Sequence, residues 1–239
     1  MNTQTVLMLS AKDEKETFRR IRKAIGWLGI SLPVALVLLS LIPFFKTGIQ
    51  DSISSYYYTN FRELFTGVLC AVSLFLIRYQ GTKNPKFWKN DSLLTNIAGI
   101  MALLVALFPT NPDNCPEKIY TLIPNCASWL GWLHYAFAAV FFLILANISI
   151  NVFTIGQQKN EDIPVSLLNE NIIYRVCGIA IIVFVIMILV CDIFDLFAFS
   201  TLLFEALSLF AFGTAWLIKG RGLGDKGRRG RVLYREHNE

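Results

Sequence analysis

Histidine is almost missing from this chain: only His134 and His237 occur. A catalytic zinc held by three histidines is excluded on that count. The GxSxG, P-loop and HExxH patterns are absent as well, so serine-hydrolase, nucleotide-cradling and zincin chemistry have no support in the sequence. Charge is thin, at 16% of residues against 54% hydrophobic, and long runs carry none. Little polar sequence is left to build a soluble domain. No small-residue cleavage site follows the first apolar run, which is too long for a signal-peptide core, so no signal peptide is expected.

What is present is a series of long apolar segments: Ala24–Phe45, Leu64–Tyr79, Leu93–Pro109, Trp129–Phe153, Ile172–Cys191 and Phe199–Ile218. A helix rises about 1.5 Å per residue, so about 20 apolar residues cross a hydrocarbon core of about 30 Å. The expected fold is all-α, a bundle of six transmembrane helices. A polar segment over 1–23 precedes the membrane domain at 24–218, and a basic tail follows over 219–239.

The basic residues orient this bundle. With the N-terminus in the cytoplasm, every lysine and arginine except Lys46, Arg62 and Lys118 falls on the inner side. The positive-inside rule therefore places both termini in the cytoplasm; the expected location is a membrane, and the resemblance given below implies a bacterial inner (plasma) membrane. The net charge of +5 follows from the same asymmetry. The arginine-rich tail, including GRGLGDKG, reads as topology and anionic-lipid contact; no nucleic acid is expected as a partner.

Small residues recur at helical spacing. Thr95, Gly99, Ala102 and Ala106 share one face, and Ala211, Gly213 and Ala215 cluster near the end of the chain's last span. Such faces let helix backbones approach closely, within a protomer or between copies, so self-association is a possible use. Pro33 and Pro43 are candidate kink sites in the first span. Cys115 and Cys126 share one outer loop beside Pro116 and Pro124 and are expected to pair as a disulfide. No third and fourth ligand lie nearby, so no metal is expected there. No cofactor is implied.

Ionisable groups inside spans are costly and mark candidate sites. Here they gather toward the outer side. His134 lies about 8 Å below one outer end and Glu205 about 9 Å below another. Arg62 and Glu63 open the second span, Asp192 and Asp195 close the fifth, and Ser52, Ser54, Ser55, Tyr56, Tyr57 and Tyr58 lead into the second. A carboxylate and an imidazole at equal depth can share a proton or an ion, and Arg62 can grip an anionic head group bidentately. The same groups can equally form a structural network that locks helices together. Asn96, Asn147, Asn151, Arg78 and Tyr174, toward the inner side, read as scattered interfacial groups. A Ser–His–Asp set can be drawn from Ser54 or Ser55, His134 and Asp195, but no spacing selects it.

The runs ISSYYYTNFRELFTGVL, NIAGIMALLVALFPTNP and LHYAFAAVFFLILA resemble bacterial six-span membrane proteins of a domain-of-unknown-function group, and distantly the Frag1/DRAM/Sfk1-like family. The matching features are the serines Ser52–Ser55 before span two, Phe108–Thr110 at the end of span three and His134 opening span four. The resemblance covers roughly half the chain, and it implies lipid handling rather than a stated chemistry. The two-cysteine loop and the arginine-rich tail lie outside it.

The expected function is non-enzymatic: an integral membrane protein holding a membrane-lipid head group or a small polar ligand in an outer-leaflet cavity lined by Ser54, Ser55, Tyr56, Tyr57, Tyr58, Arg62, Glu63, His134, Asp192, Asp195 and Glu205. The alternatives are a homo-oligomeric channel or pore-forming effector, and an intramembrane lipid-modifying enzyme using His134 with an acidic partner.

Overall fold

The computed structural model describes residues 3–110, 122–123, 128–155, 169–224, 230 and 233–234. Among these residues the secondary structure is entirely helical. The main elements are α1 (Thr3–Ser40), α2 (Arg62–Arg78), α3 (Asp91–Leu107), α4 (Ser128–Asn147), α5 (Glu170–Phe194) and α6 (Ser200–Lys219). Short 3-10 turns at Pro43–Phe45, Ser54–Tyr58 and Phe87–Lys89 punctuate the connections, and a π turn over Ile148–Val152 continues α4.

Local chemistry explains several helix ends. The Asn90 side chain accepts the Leu93 N–H at 3.1 Å and starts α3. Asn169 accepts the Ile172 N–H at 3.1 Å and starts α5. Each supplies an acceptor that a helix start lacks. Asp91 and Glu170 then sit in the first turns of their helices, where negative charge suits the helix dipole. Pro33 is accommodated inside α1, whereas Pro43 lies past the helix end and opens a 3-10 turn.

Among the described residues, four helices are long and apolar enough to cross a membrane: Glu16–Ser40, Gly131–Val152, Glu170–Phe194 and Ser200–Lys219. The expectation of six spans is met in this coarser form. Helices α2 and α3 have 17 residues each, about 25 Å of helix, slightly less than a hydrocarbon core. Both are cut short because the backbone turns extended at Tyr79 and Phe108.

The helices form a ring in chain order. Each packs on its sequence neighbour, and α6 closes the ring against α1. Their directions alternate. One end gathers the end of α1, the start of α2, the end of α3 and the starts of α4 and α6; the other gathers the opposite termini, as the bonds described below establish. The ring is drawn tight where glycines face backbone. A Cβ on Gly213 would lie 2.6 Å from the Gly26 carbonyl, and one on Gly26 would lie 2.8 Å from the Gly213 carbonyl. Gly99 meets the Ser73 carbonyl of α2 and Gly178 the Ala146 carbonyl of α4 in the same way, each at 2.8 Å. Gly99 and Gly213, two of the small residues singled out in the sequence, are thus used for contacts within the protomer, as small faces allow. Outside the ring α5 shows a broad apolar face, with Val176, Ile179, Val183, Ile186 and Leu189 all exposed. A lipid environment suits that face.

Candidate functional site

Polar groups collect at both ends of the ring. At the first end, the segment from Gln50 to Tyr58 folds back onto the bundle. Ser52, Ser54, Tyr56 and Tyr57 are all buried there. Ser52 Oγ lies 3.1 Å from Ser54 Oγ and 2.7 Å from Ser55 Oγ, and accepts the Ser55 N–H at 3.0 Å. This local closure satisfies a turn that would otherwise leave polar groups stranded. Tyr56 Oη lies 2.9 Å from Ser40 Oγ at the end of α1. Tyr58 donates its hydroxyl hydrogen to the Thr110 carbonyl beyond α3. Arg62, at the start of α2, lies over the Tyr57 ring at 5.4 Å.

Helix α6 holds the same segment from the other side. The Ile53 N–H donates to Glu205 Oε2 at 2.6 Å, and the Leu202 N–H donates to the Asp51 carbonyl at 2.9 Å. His134 is buried and its Nδ1 lies 2.6 Å from the Phe108 carbonyl. A carbonyl only accepts, so Nδ1 carries the hydrogen. His134 and Glu205 therefore lie at one end of the bundle, as equal depth implied, but with different partners. Glu205 holds the beginning of the folded segment. His134 and Tyr58 together bond the carbonyls of Phe108 and Thr110, just past the end of α3.

Burial pushes the Tyr58 phenol up from 10.0 to about 12, with Tyr57 adding to the effect and Arg62 opposing it. Burial raises Tyr57 as well, again against Arg62. Both hydroxyls stay neutral donors at ordinary pH. Glu63 is exposed at the start of α2, and Asp192 and Asp195 are exposed where α5 ends. These three stand apart from the bonded set. Cys115 and Cys126 lie outside the described residues; Cys70, Cys177 and Cys191 are free thiols.

The opposite end holds a denser cluster that was not legible as a site. Arg22 of α1 donates through Nε and Nη2 to Tyr79 Oη, at 3.1 and 2.6 Å. Tyr79 donates in turn to Asp91 Oδ2 at 3.0 Å. Gly81 makes room for this, since a Cβ there would lie 2.3 Å from the Asp91 carboxylate. Lys219, at the end of α6, donates to the Phe153 carbonyl at 2.9 Å and lies over the rings of Phe153 and Tyr174. Trp216 contacts Tyr79 and Phe153 edge-on, at 5.4 and 5.2 Å between ring centroids. The π turn delivers Phe153 to this position, and such turns recur at functional sites.

The reading of Tyr174 as an interfacial group is corrected here: it is fully buried, against Phe153 at 5.3 Å. Asn147 and Asn151 are bonded to each other at 2.9 Å, and Asn147 also donates to the Trp88 carbonyl. Tyr234, in the basic tail, is buried, with Arg221 over its ring at 5.0 Å.

The two ends differ in how their polar atoms are served. At the first end, Ser52, Ser54, Tyr56, Tyr58, His134 and Glu205 each make a hydrogen bond. At the second, Tyr174 Oη, Trp216 Nε1, Asp91 Oδ1 and Asn171 Oδ1 are buried with no hydrogen-bond partner among the described residues. A buried polar atom left without a partner costs about 1–3 kcal/mol, so four in one region call for an explanation. No group of three or more His, Cys, Asp or Glu able to hold a metal occurs among the described residues. No family model, curated protein or solved structure matches the chain.

Proposed function

We propose that this is a six-span, non-enzymatic membrane protein that binds a polar ligand or lipid head group at the end of the bundle where Arg22, Tyr174, Trp216 and Lys219 meet. The observation that carries the reading is the set of fully buried polar atoms there, Tyr174 Oη and Trp216 Nε1 foremost, that lack partners among the described residues. A ligand supplying acceptors to them removes the cost of burying them.

The alternating helix directions support six crossings, with the short α2 and α3 accommodated by local thinning or by flanking polar groups. The one-sided distribution of lysine and arginine supports a ligand site on the cytoplasmic side of the membrane. The first end becomes the outer end, and its folded segment acts as a seal, with Ser52 bonded to Ser54 and Tyr56 to Ser40. This moves the expected ligand site from the outer leaflet to the inner one. Kinship with the Frag1/DRAM/Sfk1-like group belongs to the same proposal and agrees with a lipid ligand.

Two observations weigh against the other readings. Gly26, Gly99, Gly178 and Gly213 are used between helices of one protomer, so these glycines are taken and do not form a seam between copies. His134 Nδ1 is bonded to the Phe108 carbonyl, Ser54 and Ser55 are bonded to Ser52, and Asp195 is exposed where α5 ends, so these bonds do not assemble the Ser–His–Asp set. The test is mass spectrometry of molecules retained by protein purified in mild detergent. A lipid or polar small molecule should be present in wild type and depleted in Tyr174→Phe. Identical retained molecules in both, with both proteins folded, would refute the reading.

A further inference from the structure

The chemistry of the inner cluster says which class of ligand it takes; this inference rests on the binding reading above. Its unpartnered buried donors are a phenol, Tyr174 Oη, and an indole, Trp216 Nε1. Beside them are two cations. Arg22 gives two of its N–H groups to Tyr79 and has others to offer. Lys219 gives one hydrogen to the Phe153 carbonyl and has two more. The Asp91 and Glu170 carboxylates offset part of this positive charge, but the phenol, the indole and the remaining hydrogens of Arg22 and Lys219 all call for an acceptor, which a bare cation does not offer. A tetrahedral or planar anion satisfies all four.

The two remaining orphans, Asp91 Oδ1 and Asn171 Oδ1, are acceptors. Asp91 Oδ2 is taken by Tyr79, while Oδ1 is buried without a partner among the described residues. A fully ionised anion placed against Oδ1 would be repelled. A ligand that carries a hydroxyl next to its charge would donate to it. We propose that the cluster binds a phosphate bearing an adjacent hydroxyl, such as a protonated phosphate monoester or a glycerol phosphodiester, whether carried on a lipid head group or free in the cytoplasm. Phosphate oxygens accept from Tyr174, Trp216, Arg22 and Lys219, and the hydroxyl donates to Asp91 Oδ1. The cation-lined rings of Phe153 and Tyr174 hold Lys219 pointed at the anion at little cost in side-chain entropy.

The experiment is native mass spectrometry of the full chain in detergent, titrated separately with phosphatidylglycerol, phosphatidylcholine and inorganic phosphate. Phosphatidylglycerol offers phosphate with hydroxyls; phosphatidylcholine offers phosphate with none. Expected is at least tenfold tighter binding of a hydroxyl-bearing phosphate than of phosphatidylcholine. Preference for inorganic phosphate over phosphatidylglycerol assigns the soluble source, and the reverse assigns the lipid. Tyr174→Phe and Lys219→Met should each weaken the preferred probe about tenfold, while Lys219→Arg retains it; circular dichroism and melting temperature confirm that each variant is folded. Equal binding of phosphatidylglycerol and phosphatidylcholine, unchanged in both variants, overturns the proposal. Retention of an uncharged ligand that Tyr174→Phe abolishes overturns the phosphate assignment and leaves the binding reading standing. Absence of any retained or titrated ligand at this cluster overturns both.

Discussion

The Glu205 carboxylate accepts the backbone N–H of Ile53 at 2.6 Å, joining positions 152 residues apart in sequence. A helix side chain thereby holds the turn that seals one end of the bundle. Replacing Glu205 by Gln keeps an acceptor for this N–H, so unfolding in detergent should change little. Replacing it by Leu strands the N–H, and stability should fall by about 1–3 kcal/mol. Thermal unfolding of the two variants side by side checks this; equal loss in both would mean that charge, not hydrogen bonding, holds the turn.

The contact between Gly26 and Gly213 makes a second prediction. A methyl at Gly213 would sit 2.6 Å from the Gly26 carbonyl, and backbone cannot step aside as a side-chain tip can. Gly213→Ala should destabilise the α1–α6 pair by about 1–3 kcal/mol. Gly67 in α2 has nothing within 4 Å of such a methyl, so Gly67→Ala should instead stabilise by about 0.5–1 kcal/mol through helix propensity. Opposite shifts in melting temperature are expected from these two chemically identical changes.

Gly81 tests the inner cluster through its scaffold. A Cβ there would collide with the Asp91 carboxylate at 2.3 Å. Gly81→Ala should push Asp91 away from Tyr79 and lower ligand retention as well as stability. Gly48→Ala, where a methyl meets nothing, is the matched control. Retention equal in the two variants would contradict a role for Asp91 in the ligand site.

The seal has a pH dependence with a definite sign. The Tyr58 phenol is raised from 10.0 to about 12 because its neutral form is the one buried. A raised value means that the stabilisation is fully present below about pH 10, and is lost as pH rises through about 12. Protease protection of the 50–58 segment should therefore be flat from pH 7 to 9 and decline above pH 10. In Tyr58→Phe that decline should flatten. A decline already complete by pH 9 would point to another group.

The helical bundle was legible because hydrophobic runs and the one-sided placement of lysine and arginine are properties of the chain itself. His134 and Glu205 were legible as unusual for the same reason: ionisable groups stand out inside apolar sequence. Their partners were not. Ile53 and Phe108 contribute backbone N–H and C=O groups, and those atoms carry no residue signature. The inner cluster was missed for a different cause. Arg22 and Lys219 look like ordinary topology residues at helix ends, Asp91 like part of a helix start, and Tyr174 and Trp216 like an interfacial belt. What makes them one site is that α1, α3, α5 and α6 bring them together, which needs the order of helices around the ring. The signal that remained available was the accumulation of Asp91, Glu170, Tyr174 and Trp216 just within the membrane-side ends of helices that should have been apolar.

The most direct measurement is a density map of the protein in nanodiscs made with phosphatidylglycerol and phosphatidylcholine. Ordered density should appear between Tyr174, Trp216, Arg22 and Lys219 on the side bearing the lysine- and arginine-rich segments, with a phosphate-sized feature within hydrogen-bond distance of Tyr174 Oη. A map in which Tyr174 and Trp216 are paired by protein groups, or in which ligand density lies instead against Glu205 and the Gln50–Tyr58 segment, would contradict an inner-side ligand site.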